Sequence, residues 1–181
     1  MDALTPLSSA LMNAKDNDIH GIAASGDWGW CARESILEVV DFQNGQSLFA
    51  LDFASGASTS GTSSLRIAGD IVQVVELTHS AIPFKRALAV CINTGLRNST
   101  IAVLNPASQS CTMAVTLSRG LSIMQAIPST IFQTKEWEAA GAFHLVAGTN
   151  SGEVFFINLL QHLKEGQVCH LPAEAMKELG S

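Results

Sequence analysis

Charge is scarce in this sequence: only 14% of residues are charged, with 16 acidic against 10 basic side chains and a net charge of −6. Binding along a phosphate backbone needs clustered Lys and Arg, which the chain does not have. Its nearest approach to a cluster is Lys85-Arg86, read as a solvated loop tip. No run reaches the ~18 apolar residues that a membrane-crossing helix requires. The first residues, Met1–Asp18, have neither a basic start nor a continuous apolar stretch, so they do not read as a signal peptide. The expectation is a soluble intracellular chain. Cysteine is sparse and unpaired in sequence: Cys31, Cys91, Cys111 and Cys169 form no CxxC pair. Cys91 and Cys111 sit inside apolar runs, where a thiol acts as a small hydrophobe. A reducing compartment fits this usage, and the Asn98-Ser99-Thr100 sequon is then incidental.

Catalytic signatures are missing as well. There is no G-x-S-x-G nucleophile elbow. Gly56–Gly61 has the outer glycine spacing of a phosphate-binding loop, but Thr62 stands where the lysine belongs. His20, His79, His144, His162 and His170 are dispersed, with no HExxH pair. Cys169 and His170 are neighbours, and neighbours on a strand point to opposite faces. Asp16 and Asp18 fall in the polar stretch Asn13–Asp18, read as an exposed loop. The expectation is a protein that is not an enzyme and has no metal, no cofactor and no small-molecule substrate.

What the sequence does have is apolar strand signal. Hydrophobic residues make up 47%. Short Val/Ile/Leu/Phe runs recur between Gly, Asn, Ser and Asp turns. They include Ile36–Val40, Ser47–Phe53, Ile71–Leu77, Ala87–Ile92, Thr100–Leu104, Cys111–Leu117, Leu121–Ile127, Phe143–Ala147 and Glu153–Ile157. Most are continuous rather than alternating, which predicts strands buried on both faces. Three of them repeat a pattern of an apolar strand closing on Asp or Asn: Ile36–Asp41, Thr100–Asn105 and Glu153–Asn158. Each leads through a turn to a second strand. The turns are Phe42–Gln46, with its Asn-Gly hairpin signal, and Pro106–Ser110; a longer connection leads from Asn158 to Val168–Leu171. Ala87–Gly95 and Phe143–Gly152 add a strand running into a Gly/Asn turn ahead of two of these hairpins. The repeats are unequally spaced, and Ser55–Ser64, rich in Gly, Ser and Thr, reads as a loop insertion. Ala173–Leu179 is the best helix candidate.

The fold class this predicts is all-β, a partial β-propeller of about three blades. Residues 1–25 form a lead-in segment and residues 26–181 the blades. Propellers close with ~4 to 8 blades, so further blades or a partner are expected to complete it. Trp28 and Trp30, in the Gly-rich segment Asp27–Trp30, have two readings: rim anchors for a protein partner, or packing between blades. Trp137, within Lys135–Ala140, has the same two.

The order of segments resembles the N-terminal β-propeller of the ELYS-type nucleoporins. Leu37–Val40 leads through Asn44–Leu48 to Phe53-Ala54-Ser55-Gly56, similar to that family's strand, turn and "FSG" ending. Ser99–Leu104, then Ala114–Leu117, Ser118-Arg119-Gly120 and Leu121–Ile127, is similar to its next hairpin and the stretch behind it, with Arg119 and Gly120 in reverse order. Ala140–Leu159 is similar to a later strand pair, and Leu171-Pro172-Ala173-Glu174 to an "IPAE" segment. The resemblance runs from about Gly26 to the last residue. It implies a seven-bladed, WD-like propeller docked on an α-helical domain, acting as a non-catalytic scaffold in nuclear pore assembly and attachment to chromatin. The implied partners are nucleoporins of the Y-shaped subcomplex, and chromatin through the full-length protein, at the nuclear envelope in the nucleus. The family's basic AT-hook region has no counterpart here, so the resemblance assigns no DNA contact to this segment. A generic WD40-like adaptor of a trafficking or signalling complex shares nearly all these sequence features and is the alternative.

Overall fold

The computed structural model describes residues 18–58, 61–62, 65–78, 82, 86–127, 143–159 and 169–170. Among the described residues the fold is all-β and is built as three separate open sheets. In the first, β1 (Ile19–Ile22), β2 (Trp28–Arg33), β3 (Ile36–Asp41) and β4 (Ser47–Asp52) follow one another as antiparallel neighbours. The short strands β5 (Ala57–Ser58) and β6 (Gly61–Thr62) extend it. The segment read as a loop insertion therefore carries a small antiparallel edge in its middle. In the second sheet, β7 (Asp70–Glu76), β8 (Leu88–Gly95), β9 (Asn98–Asn105) and β10 (Ser110–Leu117) repeat the antiparallel order. The third holds β11 (Leu121–Ala126), β12 (Leu145–Thr149) and β13 (Val154–Ile157).

The three repeated segments are β3, β9 and β13, each the third strand of its sheet. Their predicted mates behave differently. β4 and β10 pair with β3 and β9 as expected. Of the third predicted mate, Val168–Leu171, the described residues do not pair with β13. They form β14 (Cys169–His170), which instead lies parallel to β10, opposite Val115 and Thr116. The outer strand of an open sheet presents unpaired backbone groups, and β10 offers such an edge. The candidate helix Ala173–Leu179 lies outside the described residues.

Turn chemistry sets the register. Between β3 and β4, Gly45 takes a φ of 66°, the left-handed conformation that glycine adopts without penalty. Asp41 and Asn44 side chains accept from Gln43 N at 2.8 Å and Gln46 N at 2.9 Å. The Asn-Gly signal thus marks a real turn, and local side-chain acceptors hold it.

The second sheet is sandwiched between the other two. On one face Leu88, Val90, Ile92, Ala102 and Leu104 join Trp28, Leu37, Val39, Phe49 and Leu51 of the first sheet. On the other, Ala89, Cys91, Ile101 and Val103 join Leu121, Met124, Leu145 and Ile157 of the third. Burial on both faces therefore holds for β8 and β9, where each large apolar side chain removed from water stabilises by about 2 kcal/mol. In the outer sheets it holds only in part: β2 is buried at five consecutive positions, Trp28–Ala32, while other strands are covered on one face. β4 alternates, with Phe49 and Leu51 inward, and Ile36 at the start of β3 is 50% exposed.

Polar ties cross both seams. Ile71 N donates to Glu34 O at 2.7 Å and Ala24 N to Glu76 Oε2 at 2.7 Å, linking the first and second sheets. The leading strand β7 packs beside β1 and β2 on one side and β11 on the other. The first strands of all three sheets thus lie together.

Candidate functional site: a groove between the second and third sheets

Two hairpin tips and one sheet-to-sheet connection meet at one end of the molecule and enclose a groove of about 540 Å³. The β8–β9 tip contributes Leu96 and Arg97, the link from β10 to β11 contributes Ser118–Gly120, and the β12–β13 turn contributes Asn150 and Ser151. A two-residue tip leaves no room to tuck a side chain back onto the sheet, and Leu96 is fully exposed.

Hydrogen bonds tie the two sheets together under the groove. Buried Ser99 donates its hydroxyl to Asn93 Oδ1 and accepts from Leu121 N at 2.8 Å. Asn93 Nδ2 in turn donates to Leu121 O at 3.3 Å. One serine and one asparagine thus clamp the start of β11 onto the second sheet. On the wall, Arg119 Nε donates to both Glu153 oxygens, at 3.1 and 3.2 Å, and its Nη1 donates to Ser118 O at 2.9 Å. The Arg119 hydrogen bond, followed by one from Ser151, holds the Glu153 carboxyl below its ordinary pKa. The groove thus presents guanidinium, carboxylate, amide and hydroxyl groups around an exposed leucine.

The tryptophans are elsewhere. Trp28 is 1% and Trp30 6% exposed, both in the core between the first and second sheets. Their ring centroids are 5.8 Å apart at a 50° tilt. Neither offers a surface to a partner, so of the two readings the packing one describes them, because an indole at these inward positions fills the space between sheets. Trp137 lies outside the described residues. Arg86, read as part of a solvated tip, bridges Asp27 at 3.4 Å and Asp41 at 3.9 Å. Lys85 lies outside the described residues.

Sequence reasoning passed over Leu96 and Arg97. The available signal was an apolar residue at the tip of a predicted hairpin, where burial is geometrically excluded. It also treated the metal-capable side chains as scattered, whereas Asp18, His20 and Cys31 bring one ligand atom each to within 4.8 Å of one another. No protein-family model matches the chain, and no curated protein matches it in sequence.

Proposed function

We propose that this chain is part of a β-propeller serving as a non-catalytic interaction scaffold, of the kind that ELYS-like nucleoporins contribute to nuclear pore assembly and its attachment to chromatin. The observation that carries the reading is the arrangement of the three sheets. They stack face to face, the strands β1–β6, β7–β10 and β11–β13 follow in sequence order, and the leading strands β1, β7 and β11 sit together. Successive blades around an axis have this relationship. Further blades, from the same chain or a partner, would cover the outer faces where Ile36 and Ile123 are exposed. The groove at Leu96, Arg97 and Arg119 is the surface we assign to partners, with nucleoporins of the Y-shaped subcomplex as the expected class and the nuclear envelope as the place.

Co-purification tests this. The full chain and its Leu96→Glu/Arg97→Glu variant are expressed as tagged proteins, and the recovered proteins are quantified. Enrichment of Y-complex nucleoporins, lost in the variant, is the expected result. Enrichment of coat or signalling components without nucleoporins would overturn the pore assignment in favour of a WD40-like adaptor. Equal recovery by both forms would move the interface away from the groove.

A further inference from the structure

The outer face of the first sheet, turned away from the tryptophans, gathers chemistry that the scaffold reading does not use. His20 on β1 stands directly across from Cys31 on β2. Residues two apart on an extended chain share a face, so Asp18 falls beside His20. Carboxylate, imidazole and thiol are all within 4.8 Å of one another. Tetrahedral zinc with bonds of about 2.0–2.3 Å places its ligand atoms about 3.5 Å apart. Exposed His20 closes the remaining distance by side-chain rotation.

Arg33 completes the square, donating through Nε at 2.7 Å and Nη2 at 2.5 Å to the two Asp18 oxygens. That fork accounts for the position of Asp18 alone. It does not account for an imidazole and a nearly buried thiol converging on the same point. Carboxylates that ligate metals are held by outer partners, and Arg33 stands where such a partner would.

The strand itself supplies a second reason. β1 is a four-residue edge strand with little inward anchorage. Of its two inward positions, Ile19 is only partly buried, and Gly21 has no side chain because the Trp30 indole occupies that space. A cross-link on the outer face would fix β1 to β2 where the core does not.

The geometry points to a zinc-class divalent metal site formed by Asp18, His20 and Cys31, which staples β1 to β2. The sulfur, nitrogen and oxygen donor set suits zinc and its spectroscopic substitute cobalt(II). The fourth position is filled by water or by Glu38, which stands across from Cys31 on β3. On binding, the Cys31 thiol loses its proton to solvent and its sulfur lone pair forms the metal bond, with no change of oxidation state.

Cobalt(II) titration of the purified full chain tests the site. The expected result is a thiolate-to-cobalt charge-transfer band that saturates at one equivalent, is displaced by zinc and is absent in Cys31→Ser. His20→Ala and Asp18→Asn should each weaken binding by about tenfold or more, on the scale of losing a group that holds a metal. His20 is exposed, so its variant keeps the test open if Cys31→Ser fails to fold. Zinc should also slow amide exchange across Ile19–Ile22. No band, a band that persists in Cys31→Ser, or unchanged affinity in both His20→Ala and Asp18→Asn would each overturn the proposal. None of these outcomes depends on the pore assignment.

Discussion

Gln73 on β7 pairs with Met124 on β11 as though its side chain were a piece of strand: Nε2 donates to Met124 O at 2.6 Å, and Met124 N donates back to Oε1. The two residues lie on facing edges of different sheets, so no backbone ladder could satisfy these groups. One primary amide, with a donor and an acceptor on the same planar group, supplies both bonds.

Replacing Gln73 by Leu removes both bonds while keeping an apolar stem. The Met124 peptide groups then stay partly buried without partners, at a cost of about 1–3 kcal/mol. Urea unfolding should show a lower midpoint with an unchanged slope. Gln73→Glu should be worse at neutral pH than in acid, because an ionised carboxylate can accept from Met124 N but repels Met124 O. A Gln73→Leu midpoint equal to that of the parent would mean the amide contributes nothing to this seam.

Gly21 and Trp30 form a matched pair. A methyl group at position 21 would overlap the indole, so Gly21→Ala should destabilise by about 1–3 kcal/mol through overpacking. The Trp30 indole N–H is buried with no hydrogen-bond partner among the described residues. Trp30→Phe removes that group, and in the Gly21→Ala background the smaller ring should recover part of the loss. A double-mutant cycle with no coupling between the two positions would contradict the pairing.

Asp52 closes β4. It accepts from Ser55 Oγ at 2.6 Å, Ser35 Oγ at 2.7 Å and Ala54 N at 3.0 Å. The Ser55 bond first, then the Ser35 bond, holds its pKa below the ordinary 3.8. A depressed carboxyl stabilises the fold above its unfolded pKa, and that contribution is lost as pH falls through the folded value. Asp52→Asn should therefore be less stable than the parent at neutral pH, and the gap should narrow in acid below the ordinary value. Chemical-denaturation midpoints measured against pH check this, and a gap independent of pH would rule it out.

Much of the strand content was legible because strands read locally. The run Ala87–Ile92 is continuous because β8 is covered on both faces, and Phe42–Gln46 turns where its Asn-Gly pair falls. The pairing of Cys169 and His170 was not legible, since nothing within a two-residue strand records which open edge it meets. The roles of the tryptophans were equally hidden. Their size suits a rim or a core, and only the position of the second sheet decides between them.

By itself, then, the sequence determined a β-rich chain with three repeated apolar strands that close on Asp or Asn, through apolar runs and turn residues that act within a few positions of one another. The tertiary structure alone decided three things: that Leu96 and Arg97 overhang a groove, that Gln73 serves as a strand partner for Met124, and that Asp18, His20 and Cys31 converge. Each of these joins residues on different strands, and two of them join different sheets. The distances involved follow from register and sheet stacking, which local sequence does not encode.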